Sequence, residues 1–211
     1  MIQSNTNVKL ISSTRGVNNE SLKDLVVYCA RVSNPKSQIE GLNNDGLLRY
    51  LERNNHWSPF EMVHICMEIE TTRDIARQVL RHRSFSFQEF SQRYAEVTKP
   101  MVLREPRLQD QKNRQNSLAL DDQIAYNKAI ALMKRAKDAT LSSYTDLLAL
   151  GVAKEQARCV LPEGMTPSTM YMAGSLRSWI HYTQVRGGHG TQKEHVEVAD
   201  GADIILKELL R

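Results

Sequence analysis

The chain has 211 residues, of which 41% are hydrophobic and 25% are charged, as in ordinary globular proteins. This length suits one domain, and the apolar runs fall short of the roughly 20 residues that a membrane-spanning helix needs. Three widely spaced cysteines exclude a disulfide framework, and the net charge of +4 favours anionic partners. We expect a single domain over residues 1–211. The first residues lack the pattern of a signal peptide, so we expect the protein in the cytoplasm.

The first half of the chain predicts helices and strands in turn. A strand is expected at 8–11, followed by helices at 20–32 and 45–53. The sequence then alternates over 62–72, with Val63, Ile65, Met67 and Ile69 on one side. This period of two predicts a strand with one buried face.

The second half is dominated by helical patterns. Helices are expected at 73–81, 154–160, 175–186 and 192–210, with a strand at 169–172. The polar segment 101–120, which carries Pro106, predicts a long surface loop or a poorly ordered insertion. The longest helix is expected at 121–150, since two aspartates suit its start and Gly151 suits its end. Strands separated by unequal helices predict an α+β fold with a central mixed or antiparallel sheet.

Residues 81–94, RHRSFSFQEFSQRY, form the most informative segment. Guanidinium groups bind phosphate oxygens through paired hydrogen bonds, and serine hydroxyls add neutral donors. The composition therefore suits a ligand that is phosphorylated, hydroxylated and flat. Neighbours on a helix point about 100° apart, so Arg81, His82 and Arg83 fit better where a helix ends.

Two later segments carry further polar residues at helical spacing. Glu155 and Arg158 are three residues apart, as in a helical ion pair. Arg177 and His181 share one helix face, whereas Arg186 lies about 180° away, so this helix offers cations to two sides. The six histidines form no metal-binding motif, and no glycine-rich dinucleotide fingerprint is present, so we expect no metal and no Rossmann turn.

The order and spacing of these segments resemble those of the flavin-dependent thymidylate synthases, over about His56–Arg186. The matching segments are Arg81–Arg83 with Ser91, Glu155–Arg158, Leu161–Pro162, Ser175–Tyr182 and Val185–Arg186. The resemblance implies reductive methylation of dUMP to dTMP. It further implies FAD as cofactor, 5,10-methylenetetrahydrofolate as one-carbon donor, NADPH as reductant and a homotetramer with shared active sites, with no nucleic-acid or membrane partner.

The resemblance also implies roles for particular residues. The implied contacts with FAD are Ser58, Arg81, His82, Arg83, Glu89, Ser175, Arg177 and His181. The implied contacts with dUMP are Gln78, Arg81, Glu89, Ser91, Arg93, Arg158 and Arg186. Arg186 is implied to activate the uracil ring by stabilising negative charge, without a cysteine nucleophile. Because Glu89, Ser91 and Arg93 alternate, an extended segment would place them on one side.

Other interpretations fit parts of the same pattern. A row of arginines at 73, 77 and 81 is also typical of a solvated helix edge. A nucleic-acid-binding domain uses basic and aromatic residues together, because bases stack on Phe and Tyr. A relative that binds flavin or nucleotide without catalysis is a third alternative. Bound oxidised flavin would exclude the nucleic-acid interpretation.

Overall fold

A computed structural model describes residues 6–40, 44–188 and 190–211. The strands are β1 (Asn7–Ser13), β2 (His64–Thr72), β3 (Ser86–Glu89), β4 (Arg107–Gln109), β5 (Ser117–Ala119) and β6 (Pro167–Ser175). The helices are α1 (Leu22–Ala30), α2 (Pro35–Glu40), α3 (Asn44–Arg53), α4 (Arg73–Val79), α5 (Gln123–Ala149), α6 (Lys154–Ala157), α7 (Leu176–Arg186) and α8 (Lys193–Leu209). Two short 3₁₀ turns cover Ser58–Met62 and Arg158–Val160.

The central sheet has four antiparallel strands in the order β1-β2-β6-β3. Its middle strand β2 has the alternation expected from the sequence, with Ile65, Met67 and Ile69 buried on one face. The α+β prediction is therefore confirmed, and the sheet is antiparallel rather than mixed.

Helices α4, α7 and α8 pack against the buried face of this sheet, and α1 adds to the same hydrophobic core by packing on α3 and the Ser58–Met62 turn. At its centre, the indole nitrogen of Trp179 donates to the carbonyl oxygen of Ile65 at 3.1 Å. Gly201 weakens α8 as an isolated helix. The reason for a glycine there is close packing, since an added Cβ would lie 2.8 Å from Cγ2 of Val8 on β1.

The prediction of a long surface loop at 101–120 is wrong in two respects. Strands β4 and β5 pair there as an antiparallel hairpin. Met101 is buried in a second apolar cluster with Tyr144, Ala157 and Leu161. Both features depend on contacts with distant parts of the chain, which local polarity does not reveal. Strand β6 is also longer than expected, because β2 and β3 pair with it on both sides.

Helix α5 is the longest element, at 27 residues. Asp122 caps its start by accepting hydrogen bonds from the backbone of Ile124 and Ala125, and Gly151 follows its end at a φ of +80°. Both boundaries match the sequence prediction. Tyr144 is its one buried residue among those described, and Ile124 is 82% exposed. Most of α5 therefore lies outside the chain's own core. None of the described helices has the length and apolarity needed to cross a membrane.

Candidate functional site

The segment Arg81–Arg83 lies where α4 ends, as its sequence predicts. Val79 is the last helical residue, and the backbone N–H of His82 donates to the carbonyl oxygen of Val79 at 3.1 Å. Arg81 and Arg83 are exposed, whereas His82 is half-buried. The chain therefore turns here with its two arginine side chains available to a ligand.

His82 joins this turn to α7. Nε of Arg186 donates to Nε2 of His82 at 2.8 Å, so Nε2 is an acceptor and the imidazole is neutral. Burial, together with the positive charges of Arg186 and His181, lowers the pKa of His82 to about 4. Arg186 therefore contacts the Arg81–Arg83 turn directly.

A cleft of about 460 Å³ opens beside the first part of α7. It is lined by Asn55, Trp57, Glu61, Ser84, Arg177, Ser178, Ile180, His181 and Gln184. Nη1 of Arg177 donates to Oε1 of Glu61 at 2.8 Å. Hydrogen bonds from Ser175 and Arg177 lower the pKa of Glu61, which keeps this pair charged.

The two serines with an implied FAD role flank this cleft in different ways. Ser175 is buried and caps α7, where its Oγ accepts from the backbone N–H of Ser178 at 3.2 Å. Ser58 is exposed at the start of a 3₁₀ turn. The hydroxyl of Ser175 is thus engaged in the cap of α7, whereas the side chain of Ser58 is exposed to solvent.

Glu89, Ser91 and Arg93 do not share one side of an extended segment, so that prediction is wrong. Strand β3 ends at Glu89, and a turn follows in which the backbone N–H of Tyr94 donates to the carbonyl oxygen of Ser91 at 3.2 Å. Glu89 is held instead by Arg73 and by the hydroxyl of Ser168, at 3.3 and 2.7 Å. A turn lacks the two-residue period that the prediction assumed.

The interpretation of Glu155 and Arg158 as a helical ion pair is also wrong. The Glu155 carboxylate accepts from Nε of Arg93 at 2.9 Å, and Arg158 donates to the backbone carbonyl of Glu155 at 3.2 Å. One glutamate thus brings together two arginines that the resemblance assigns to dUMP. Their separation of 65 positions in the sequence hid this contact.

Apart from Ser58, Ser175, Arg177 and His181 at the cleft, most of the predicted site residues fall into two groups. The first group consists of Gln78, Arg81, His82 and Arg186. The second group consists of Ser91, Arg93 and Arg158, whereas Glu89 bonds to Arg73 and Ser168. In the part of the chain that the structure describes, Arg81 and Arg83 have no carboxylate partner, and the partner of Arg186 is a neutral imidazole. The first group therefore holds uncompensated positive charge.

Sequence reasoning missed one buried polar residue beside the first group. His195 is fully buried on α8, and its ring centroid lies 6.2 Å from that of His82. Its spacing from Val198, Ala199 and Ala202 places it on the core face of the helix, which was a signal available in the sequence. A polar residue on such a face needs hydrogen-bond partners.

Comparisons with known proteins agree with the geometry. Residues 9–210 match the family model described as thymidylate synthase complementing protein. The probable flavin-dependent thymidylate synthase of Paramecium bursaria Chlorella virus 1 is 46% identical over 208 residues, covering 95% of this chain and 94% of the relative. The chain belongs to the flavin-dependent thymidylate synthase family. The Synechocystis flavin-dependent thymidylate synthase is 50% identical over 182 residues, with 85% and 81% coverage.

A solved structure adds a second line of similarity for this thymidylate synthase family member. The UMP/dUMP methylase PolB from Streptomyces cacaoi, bound with 5-Br UMP, superposes with a TM-score of 0.83 at 28% identity. The match covers 98% of this chain and 91% of PolB. The sequence-based assignment to this enzyme family is thus confirmed, whereas the roles of individual site residues stay predictions.

Proposed function

We propose that the chain converts dUMP to dTMP, with FAD as cofactor, 5,10-methylenetetrahydrofolate as one-carbon donor and NADPH as reductant. The observation that carries this proposal is the positive charge of Arg81, Arg83 and Arg186 around a neutral His82, since none of the three arginines has a carboxylate partner among the described residues. Such a site favours a phosphorylated ligand and charge that develops on a base. The similarity to PolB, whose solved complexes contain 5-bromo pyrimidine nucleotides, supports the same substrate class.

The donor set beside α7 fits a flavin dinucleotide. Exposed arginines suit its pyrophosphate, and the cleft beside Arg177 and His181 offers an aromatic wall at Trp57 for a flat ring. When bound, FAD supplies the hydride chemistry that the protein lacks. The residues that would hold it are Ser58, Arg81, His82, Arg83, Glu89, Ser175, Arg177 and His181.

The second group suits the phosphate and sugar of the nucleotide. Arg93 and Arg158 lie around Glu155, and the hydroxyl of Ser91 is a neutral donor on the same turn. Bonding to Glu155 engages only Nε of Arg93 among the described contacts, which leaves the end of the guanidinium for an anion. Ser91 is thus a phosphate donor and not a nucleophile.

Arg186 is the residue we assign to ring activation. A cation beside the uracil stabilises negative charge there and increases electron density at C5. Because its described partner, His82, is neutral, the Arg186 charge is not cancelled by a carboxylate. This route needs no covalent adduct between the enzyme and the pyrimidine.

The proposed function is tested with the purified protein. We expect a visible absorption spectrum of oxidised flavin after incubation with FAD, and dTMP formation that requires dUMP, 5,10-methylenetetrahydrofolate and NADPH together. Omitting each component in turn is the control. A folded protein that remained colourless with excess FAD would contradict the cofactor assignment, and flavin binding without dTMP would indicate an inactive relative.

A variant without cysteines tests the absence of a covalent nucleophile. Burial raises the pKa of the Cys66 thiol, which makes it a poor nucleophile, and no activating partner is described for Cys29 or Cys159. We expect the variant with all three replaced by Ser to retain most of the wild-type kcat. Loss of turnover from a single cysteine variant that still binds flavin and dUMP would show that a thiol adduct is used.

We also propose that the protein is a homotetramer whose active sites combine residues of different chains. The 27-residue helix α5 buries little of itself in its own chain, and it exposes Ile124, Leu132 and Leu141. Apolar positions along an exposed helix are typical of a subunit interface. Most of the predicted site residues lie in two groups within one chain, and a subunit interface would bring the first group of one chain to the second group of another.

Mixing variants tests the shared site. Arg186→Ala belongs to the first group and Arg93→Ala to the second, so a hybrid oligomer contains some sites with both groups intact. We expect the mixture to exceed the summed activities of the separate variants at a low dUMP concentration. Arg186→Ala mixed with His82→Ala is the matched control, which should gain nothing because these two side chains bond to each other within one chain. A monomer in light scattering would overturn the proposal.

A further inference from the structure

A chain of polar side chains runs behind the first group of the proposed site and connects α7, α4, α8 and the β4–β5 hairpin. Its members, in order, are Tyr182, His195, Gln78, Gln192, Glu194 and Arg107. Successive donor–acceptor distances are 3.0, 3.3, 2.9, 2.9 and 2.9 Å. The resemblance gives a role to Gln78 alone, so the other five members need a physical explanation.

The direction of these hydrogen bonds is fixed at the Glu194 end. Burial raises the pKa of Glu194, but hydrogen bonds from Arg107, its own backbone and Gln192 outweigh burial and lower it, so the carboxylate is charged. A charged carboxylate only accepts. Gln192 must therefore direct its NH₂ group at Glu194, at 2.9 Å, and its carbonyl oxygen at Gln78.

The same constraint passes along the chain. Gln78 donates from Nε2 to Gln192, so Oε1 of Gln78 faces His195 as an acceptor. Nδ1 of His195 must then carry the proton, and Nε2 must accept from the hydroxyl of Tyr182. The ring therefore has one tautomer, and each amide has one orientation.

The environment of His195 supports a neutral ring. His195 is fully buried, and burial together with the positive charge of Arg186 lowers its pKa to about 4. Only a neutral imidazole can accept from Tyr182 while donating to Gln78. A doubly protonated ring would break the sequence of donors at this point.

We propose that His195 is a positioning residue that holds the side chain of Gln78 in one amide orientation towards the substrate. This inference rests on the proposed function, because Gln78 is assigned to dUMP there. With one N–H and one lone pair used within the chain, Gln78 presents its remaining N–H and lone pair in a fixed arrangement. Without His195, Oε1 of Gln78 loses its described partner, so the amide is held only through Gln192 and its match to the nucleotide is weakened.

Substitution of His195 in the flavin-loaded enzyme tests the proposal. His195→Leu should raise the Kd of dUMP by about 10-fold, because one oriented hydrogen bond is lost. His195→Asn keeps an amide N–H near the position of Nδ1, so its Kd should stay within about 3-fold of wild type. In a Gln78→Ala background, His195→Leu should add less than about 2-fold, since the two residues act as one unit.

Removing a buried hydroxyl provides a second test that does not depend on replacing the histidine. Tyr182→Phe leaves Nε2 of His195 without its donor and should raise the Kd of dUMP. Tyr144→Phe is the matched control, because its hydroxyl accepts from the backbone of Val97 in the separate cluster with Met101. Tyr144→Phe should lower thermal stability without changing Kd.

The results separate this inference from the proposed function. A wild-type enzyme that binds no dUMP would overturn the proposed function and this inference with it. Wild-type enzyme that binds dUMP, with Tyr182→Phe and His195→Leu binding it equally well, would overturn the inference alone. If His195→Leu raised the Kd of dUMP equally in the wild-type and the Gln78→Ala backgrounds, the inference would also be overturned. The effect of His195 would then be on the structure in general and not on the position of Gln78.

Discussion

Replacing Arg186 with Ala should lower kcat by about 100- to 1,000-fold, the usual cost of losing a preplaced group that stabilises developing charge. Negative charge on the pyrimidine is greatest in the transition state, so its stabilisation appears in kcat. The structure supports a large effect because a neutral His82 is the described partner of Arg186, at 2.8 Å. The measurement is steady-state dTMP formation at saturating dUMP.

Flavin content must be measured in the same variant. We expect it to be retained, because Arg83, Arg177 and His181 are unchanged. Removing Arg186 also leaves Nε2 of His82 without its donor, so the His82 ring can turn, which makes this control necessary. Arg186→Lys keeps the charge without the planar fork and should recover part of the lost kcat. Near wild-type kcat with a raised KM would make Arg186 a binding residue instead.

The elements that the sequence predicts well have local causes. Strand β2 alternates between buried and partly buried positions, and α5 begins at a capping aspartate and ends before Gly151. Each signal lies within a few residues of the feature it predicts. The four-residue strand β3 and the hairpin β4–β5 carry no such signal, because they exist through pairing with distant residues.

The predicted site follows the same division. The sequence places Arg81–Arg83 at the end of a helix, since three adjacent ligand-binding residues cannot share one helix face. It does not reveal that Glu155 binds Arg93 or that Glu61 binds Arg177, because these partners are 62 and 116 positions apart. Helical spacing suggested Arg158 as the partner of Glu155, whereas in the folded chain Glu155 bonds to Arg93.

His195 shows why buried polar residues are hard to interpret from sequence. A lone histidine on the core face of a helix resembles any satisfied core histidine. Its significance comes from contacts with Gln78 and Tyr182, which lie on two other helices. Only the complete set of donors and acceptors gives each group its direction.

Replacing Arg93 with Ala should raise the KM for dUMP by about 10- to 100-fold, the range for a hydrogen bond to a charged group. We assign Arg93 to the phosphate, which does not change during methyl transfer, so kcat should change little. The ion pair with Glu155 is well exposed, with 62% and 44% of the two side chains accessible. Such a pair contributes little to stability, so the change should not unfold the protein.

Glu155→Gln is the matched control for Arg93→Ala. It preserves shape but removes the charge that competes with phosphate for Arg93, so the KM for dUMP should stay the same or fall. The two partners of one ion pair are thus expected to act in opposite directions on substrate affinity, which a purely structural pair would not do. If both variants raised KM equally, the pair would serve to hold the turn that follows β3, and the assignment of Arg93 to the phosphate would be wrong.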